Sequence, residues 1–155
     1  MGKKIITKIR GMFMYILTTH HEFDSAHFLK GYNGKCANLH GHRWSVEVKV
    51  KGSNVEQSGE YRGMLVDFGK LKKDLEELTD IFDHKLLAEE GSLHEETEKA
   101  FNAEGFKISE LSFRPTAENF AKYFYDEMKN KEYNVHSVSV YETPENCATY
   151  MEELI

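Results

Sequence analysis

Residues 40–51 read HGHRWSVEVKVK, and from residue 42 onward polar and apolar side chains alternate. Alternation with period two places one set of side chains on each face of a β-strand. Because one set is apolar and the other polar, the stretch predicts a half-buried strand over 42–51 in an antiparallel sheet. The apolar face carries Trp44, Val46, Val48 and Val50, and the opposite face carries Arg43, Ser45, Glu47, Lys49 and Lys51.

Other stretches have the composition of further strands. β-Branched and aromatic residues predict a strand over 13–19, and alternation predicts another over 135–142. The polar, glycine-containing loop at 52–63 predicts a hairpin that returns as a short strand over 64–67. A TPEN turn then leads into a last predicted strand over 148–152.

In two segments the apolar residues recur with the spacing of an α-helix. The first runs from Phe68 to Phe82, and the second is a helix over 116–130 with Thr116 as its candidate N-cap. The order strands, helices, strands predicts an α+β domain, an antiparallel sheet with two helices on one face. The apolar positions are Phe68, Leu71, Leu75, Leu78 and Phe82 in the first helix and Ala117, Phe120, Ala121, Phe124 and Met128 in the second.

The length of 155 residues fits one domain, and no repeat or low-complexity linker divides the chain. We expect a single domain over 12–155, preceded by a basic, disordered leader over 1–11. Residues 88–113 are glutamate-rich and weakly patterned, and we expect them to form a partly helical excursion on the surface.

Charge and cysteine content exclude several classes of protein. The net charge of −6 repels phosphate backbones and the basic residues are scattered, so nucleic acid is not an expected partner. No apolar run approaches the roughly 20 residues of a membrane span, and no secretory signal follows the basic start. The two cysteines, Cys36 and Cys147, lie far apart, which is typical of a reducing compartment. We expect a cytoplasmic protein.

Three of the eight histidines have the spacing of metal ligands. His40 and His42 are two apart on the predicted strand, so both imidazoles are expected on one face, about 7 Å apart along the backbone. His27 can come from a neighbouring strand end and complete a trio with one open position, the arrangement of a catalytic zinc site. The alternative is an H-x-H pair that simply faces solvent, and spacing alone does not exclude it.

Cys36 lies four residues before His40 in a glycine-containing segment. A nearby zinc ion would depress the pKa of its thiol. Three interpretations stay open: Cys36 is a fourth ligand of a structural site, a base or nucleophile beside a metal-bound substrate, or a small buried side chain.

Five further polar residues have both a structural and a functional interpretation. At the end of the first helix, His84 either pairs with the helix dipole or is held by Asp83 as a proton shuttle. Glu142, on an otherwise apolar strand face, is either solvated or anchors a ligand with adjacent N–H donors. Thr116 and Glu118, at a helix start, have the composition of capping residues.

Together, six short segments resemble the 6-pyruvoyl-tetrahydropterin synthases and their bacterial relatives, the 6-carboxy-tetrahydropterin synthases of queuosine biosynthesis. The resemblance covers about residues 13–152, and its most specific part is the C-x-x-x-H-G-H element. Its three-residue spacer is similar to that of the queuosine-type enzymes, whereas the biopterin-type enzymes have a longer one. The segments are FDSAH at 23–27, CANLHGH at 36–42, DF at 67–68, DH at 83–84, PTAE at 115–118 and YET at 141–143.

The resemblance implies a role for each candidate residue. It implies a zinc ion held by three histidines, a cysteine that abstracts protons with an Asp-His pair as its relay, and a glutamate that binds the 2-amino and N3 groups of a pterin ring. The implied zinc ligands are His27, His40 and His42; the implied catalytic residues are Cys36, Asp83, His84 and Glu142; the implied ring-binding residues are Glu142, Thr116 and Glu118.

The resemblance also implies a reaction and an assembly. The implied substrate is 7,8-dihydroneopterin triphosphate, and the products are 6-carboxy-5,6,7,8-tetrahydropterin, acetaldehyde and triphosphate. The alternatives are a 6-pyruvoyl-tetrahydropterin synthase, which keeps the full side chain, and a non-catalytic zinc-stabilised binding module. The implied fold is the tunnelling fold, in which subunits of a homo-oligomer, a hexamer or a tetramer, join their sheets into a barrel and place active sites at their interfaces.

Overall fold

A computed structural model describes residues 14–153 of the chain, and the leader expected over 1–11 lies outside the described residues. The described part combines strands and helices as expected for an α+β domain. In chain order the elements are β1 (Tyr15–His27), a 3₁₀ turn (Lys35–Ala37), β2 (His40–Gly52), α1 (Phe68–Asp80), β3 (Leu86–Glu89), α2 (Glu95–Glu104), β4 (Ile108–Leu111), α3 (Ala117–Asn130), β5 (Val135–Thr143) and β6 (Asn146–Tyr150).

The strands form one mixed sheet in the order β4-β3-β1-β2-β5-β6. β1 and β2 pair antiparallel along their whole lengths, from Tyr15 opposite Gly52 to His27 opposite His40. The strand predicted over 42–51 is confirmed within β2, where burial alternates as the sequence does. The prediction of a purely antiparallel sheet is wrong, because β3 runs parallel to both β1 and β4.

The hydrophobic core lies between the sheet and helices α1 and α3, so two helices pack on it as predicted. α1 begins after Asp67, whose side chain accepts a hydrogen bond from a backbone N–H two residues on. α3 begins after the predicted N-cap Thr116, whose hydroxyl accepts from the Asn119 N–H. Trp44 is fully buried at the centre of β2, with its ring stacked 6.1 Å from that of Phe23.

Two local predictions are wrong. Residues 64–67 form no strand and lead directly into α1, because both edges of β2 are already paired, one with β1 and the other with β5. Phe68 is 57% exposed at the first position of α1, whereas the apolar residues that follow it on the predicted helix face are buried.

The surface excursion expected over 88–113 is helical in part, since it contains α2, which buries none of its residues. It also contains the end of β3 and all of β4, which extend the sheet by parallel pairing. Each of these strands has only four residues, LLAE and ISEL, and neither alternates between polar and apolar positions. Within residues 14–153, no helix has both the length and the apolar character that crossing a membrane requires.

Candidate active site

The three histidines predicted as metal ligands meet where β1 ends and β2 begins. His27 is the last residue of β1 and pairs with His40, the first residue of β2, while His42 follows on the same face. Their ring centroids are 4.5 to 5.1 Å apart. The buried Trp44 ring packs edge-on against His27 and His42, so these two imidazoles have little freedom to rotate.

A fourth side chain, Glu142 near the end of β5, completes the cluster. β5 lies beside β2 with Tyr141 opposite Ser45, one residue before Glu142. The Glu142 Oε1 atom lies 3.1 Å from Nε2 of His27 and 3.3 Å from Nε2 of His42. One ligand atom from each of the four side chains lies within 4.8 Å of all the others. The sequence left open whether this carboxylate is solvated or anchors a ligand, and in the structure it lies against two of the histidines.

Hydrogen bonds on the outer side of two rings determine which nitrogen faces the cluster. Nδ1 of His27 lies 2.8 Å from the carbonyl oxygen of Pro115, and Nδ1 of His40 lies 2.7 Å from that of Asn38. A carbonyl oxygen only accepts, so each Nδ1 carries its ring's proton and each neutral ring directs the lone pair of Nε2 inward. These two Nε2 atoms are 3.0 Å apart, a separation that two lone pairs tolerate only with a cation or a proton between them.

Burial makes a proton between these imidazole nitrogens unfavourable. Because His27 is fully buried and His42 is partly buried, removal from water lowers the pKa of both imidazoles. The buried Nε2 atom of His42 makes no hydrogen bond with residues 14–153. The cluster therefore directs imidazole nitrogens and a carboxylate oxygen at one point, which is a ligand set suited to a divalent metal ion.

Cys36 is not a member of this four-residue cluster. It lies half-buried in the 3₁₀ turn between β1 and β2, and its carbonyl oxygen accepts a hydrogen bond from the Leu29 N–H. Its thiol is free. The geometry thus supplies Glu142, rather than Cys36, as the fourth group around the metal position.

The Asp83–His84 pair docks against β1, three residues before His27. The backbone N–H of Asp24 donates to Oδ1 of Asp83 at 2.9 Å, and the Asp24 carbonyl accepts from the His84 N–H at 2.7 Å. His84 has a φ of 55°, a left-handed conformation that costs a non-glycine residue on the order of 1–3 kcal/mol. The Asp24 contacts compensate for that cost and fix the position of the pair.

Within the pair, the carboxylate orients the imidazole. Nδ1 of His84 lies 2.6 Å from Oδ2 of Asp83, so the Nδ1 proton is donated to the carboxylate and Nε2 is left free in an exposed ring. Burial raises the pKa of Asp83, but the hydrogen bonds from Asp24 and His84 outweigh it, and the pKa lies below its usual value. Asp83 is therefore a carboxylate at neutral pH.

Thr116 and Glu118 lie at the start of α3, directly after the Pro115 carbonyl that holds His27. Thr116 caps the helix, as its structural interpretation expects, and Glu118 is exposed in the first turn. The carbonyl groups of Pro115 and Asn38 were not foreseen as part of the site, because a backbone acceptor has no signature in the sequence.

Two clefts open on either side of the histidine cluster and share residues 41–43. The first has a volume of about 560 Å³ and extends past His84 to Phe106 and Lys107. The second, of about 520 Å³, is bounded by Glu142 and Pro144. Both have the size of sites for small molecules.

A partly buried cluster of three histidines and a carboxylate, beside an oriented Asp-His pair and two clefts, is a candidate metal site of the kind found in metalloenzymes. The family described as 6-pyruvoyl tetrahydropterin synthase matches residues 16–153 of the sequence. The chain belongs to this 6-pyruvoyl tetrahydropterin synthase family, and the family resemblance found in the six short segments is confirmed.

Individual relatives agree with this assignment. The 6-carboxy-5,6,7,8-tetrahydropterin synthase of Haemophilus influenzae is 30% identical over 142 residues, which cover 90% of this chain and 100% of that protein. The corresponding protein of Rickettsia bellii is 35% identical over 133 residues, or 81% of this chain and 91% of that one. The solved structure of Caenorhabditis elegans 6-pyruvoyl tetrahydropterin synthase has a TM-score of 0.65 at 26% identity, covering 92% of this chain and 98% of that one.

Proposed function

We propose that this chain is a zinc-dependent lyase of queuosine biosynthesis that converts 7,8-dihydroneopterin triphosphate to 6-carboxy-5,6,7,8-tetrahydropterin, acetaldehyde and triphosphate. The observation that carries the proposal is the convergence of three imidazoles and the Glu142 carboxylate beside the Asp83–His84 pair. Relatives that match over nine tenths or more of their own length and are named as 6-carboxy-5,6,7,8-tetrahydropterin synthases support it, as does the three-residue spacer between Cys36 and His40.

The proposed metal is zinc, with His27, His40 and His42 as ligands. Two nitrogens bound at about 2.05 Å to a tetrahedral zinc lie roughly 3.3 Å apart, and three of the contacts in the cluster are 3.0 to 3.3 Å. The carbonyl oxygens that hold the rings of His27 and His40 are the kind of outer partners that orient imidazole ligands. When bound, zinc supplies Lewis acidity and a template for the hydroxyl-bearing side chain of the substrate.

The proposed proton transfers belong to Cys36 and to the Asp83–His84 pair. Cys36 is a free thiol outside the metal cluster, so its sulfur is available as a base. Asp83 keeps a proton on Nδ1 of His84 and thereby leaves Nε2 as the atom that takes up and releases protons. The exposed His84 ring borders the 560 Å³ cleft together with His42, where a substrate bound at the metal is accessible.

Glu142, Thr116 and Glu118 are the proposed ring-binding residues. A carboxylate matches the 2-amino and N3 donors of a pterin with two parallel hydrogen bonds, and Glu142 borders the 520 Å³ cleft. Its contacts with His27 and His42 also place it beside the metal position. Effects on metal affinity and on substrate affinity therefore have to be measured separately for this residue.

We further propose that the active form is a cytoplasmic homo-oligomer, a hexamer or a tetramer. The sheet of the described residues ends at β4 and β6, and an edge strand presents unpaired N–H and C=O groups to another copy. Joining sheets in this way would build the barrel of the tunnelling fold. Cys36 and Cys147 are both free thiols, which suits a reducing compartment.

The decisive experiment incubates the zinc-loaded protein with 7,8-dihydroneopterin triphosphate and quantifies acetaldehyde and the pterin product. Equimolar acetaldehyde and 6-carboxy-5,6,7,8-tetrahydropterin are expected. A pyruvoyl product without acetaldehyde would identify the other activity of the family instead. The absence of turnover in a folded, zinc-loaded protein would favour a binding module.

A further inference from the structure

The 560 Å³ cleft is a basic surface in an acidic protein. Its lining includes three basic residues, Arg43, Lys85 and Lys107, and one carboxylate, Asp24. The chain as a whole has a net charge of −6, so this excess of positive charge is a local departure from the overall composition. Such a cleft concentrates anions.

The single carboxylate of the lining is already neutralised. Arg43 forms a two-pronged ion pair with Asp24, with Nε 3.0 Å from Oδ1 and Nη2 2.9 Å from Oδ2. The remaining basic residues of the lining are Lys107 and Lys85, whose ammonium group donates a hydrogen bond to the Ile81 carbonyl oxygen. Within residues 14–153, neither lysine forms an ion pair with a carboxylate, although several lysines on the helices do.

The fold places these two lysines side by side. They directly precede Leu86 and Ile108, which are register partners in the parallel pairing of β3 with β4. The Leu86 N–H also donates to the Lys107 carbonyl oxygen at 3.0 Å. Like charges on neighbouring strand positions repel each other, and an anion bound between them would remove that repulsion.

We infer that this cleft binds the triphosphate group of the substrate, with Lys85 and Lys107 contacting the phosphate oxygens. The inference rests on the proposed function, from which it takes the substrate. The two clefts meet at His42, with Glu142 bordering one and the lysines bordering the other. This order matches a molecule with a ring at one end, a hydroxylated side chain in the middle and a triphosphate at the other end.

The excursion over 88–113 then has a function in the site. It supplies Lys107 and also Phe101 and Phe106, which line the same cleft with ring centroids 5.8 Å apart. Phe106 is 57% exposed, so the two rings form an open apolar wall beside the lysines. The excursion therefore builds one side of the phosphate-binding cleft.

The test compares Lys85→Gln and Lys107→Gln with the control Lys99→Gln. Lys99 lies on α2, pairs with Glu95 and does not line the cleft, so the control removes the same charge from a neighbouring surface. Tripolyphosphate is titrated into the zinc-loaded protein by calorimetry, and the zinc content is measured before and after because this anion chelates metals. Each cleft variant should bind roughly tenfold more weakly, and wild-type affinity should fall with added salt.

The steady-state kinetics of the two cleft variants provide a second test. Both cleft variants should raise KM for 7,8-dihydroneopterin triphosphate more than they lower kcat. Affinities and KM values equal to those of Lys99→Gln would overturn the inference, even if acetaldehyde is formed. Conversely, lysine-dependent binding of tripolyphosphate without any pterin turnover would reject the proposed function and leave the anion site in place.

Discussion

The Glu142 carboxylate lies 3.1 Å from Nε2 of His27, although the strand β2 separates the two strands that carry these residues. His27 is fully buried and burial lowers its pKa, so an electron-rich nitrogen faces an electron-rich oxygen. A cation at this position converts the repulsion into two ligand contacts. The contact therefore supports a candidate metal site at this point, and Glu142 is the residue that tests it most directly.

Replacing Glu142 with glutamine keeps the shape of the side chain and removes its charge. We expect zinc affinity to fall by about 10- to 100-fold, measured by competition with a chromophoric chelator. Glu145→Gln, in the turn that follows β5, removes an equal charge from an exposed position and should keep wild-type affinity. Unchanged zinc affinity with a raised KM for the pterin would assign Glu142 to the ring alone.

Replacing Cys36 with alanine should leave the protein folded and loaded with zinc, because this residue lies outside the metal cluster. Turnover should fall by about 10²- to 10⁴-fold if its thiolate moves the proton. Zinc content, thermal unfolding and acetaldehyde formation are measured together. Cys147→Ala, on an exposed position of β6, is the matched control. Loss of zinc and of the fold would instead make Cys36 a structural ligand.

The histidine trio could be predicted from the sequence because its geometry is local. Period two puts His40 and His42 on one face. His27 follows the strand predicted over 13–19, and in the structure that strand continues to His27 as β1. The position of Glu142 beside the three histidines could not be predicted, since it depends on β5 lying beside β2 rather than elsewhere in the sheet. The contact of His27 with Pro115 spans 88 residues, and no local pattern records such a contact.

The length and pairing of each element also determine which parts of the fold could be predicted from the sequence. β2 and α3 carry long periodic patterns that match their burial, so both were identified. β3 and β4 are short, and they are strands because β3 pairs in parallel with β1 and β4 pairs in parallel with β3, not because of a pattern in their own residues. The Lys85 and Lys107 pair follows from that pairing, which is why the phosphate-binding residues were not recognised in the sequence.

The buried histidines predict how the stability of the metal-free protein depends on pH. Burial lowers the pKa of His27 and His42 below the value of about 6.5 for a free histidine. As pH falls below 6.5, the unfolded chain takes up protons that the folded chain does not, so the free energy of unfolding decreases until the lowered pKa values are passed. Chemical denaturation between pH 5 and 8 measures this slope.

A variant comparison isolates the contribution of the cluster. His42→Gln should flatten the pH dependence of unfolding relative to the wild type, because one of the groups that titrates differently in the two states is gone. His136→Gln, on β5 and outside the cluster, should leave the slope unchanged. Equal slopes in all three proteins would contradict neutral imidazoles in the folded state.

The Asp83–His84 pair makes the last prediction. In Asp83→Asn the amide oxygen can still accept from the Asp24 N–H, so the docking against β1 is retained. The amide nitrogen, however, can donate to Nδ1 of His84, which would move the ring's proton to Nε2 and block proton uptake there. We expect kcat to fall by about 10²- to 10⁴-fold with zinc content unchanged. Asp80→Asn, exposed at the end of α1, should retain wild-type kcat. If Asp83→Asn loses thermal stability but keeps its kcat, Asp83 only anchors the turn to β1, and the proton must leave by another group.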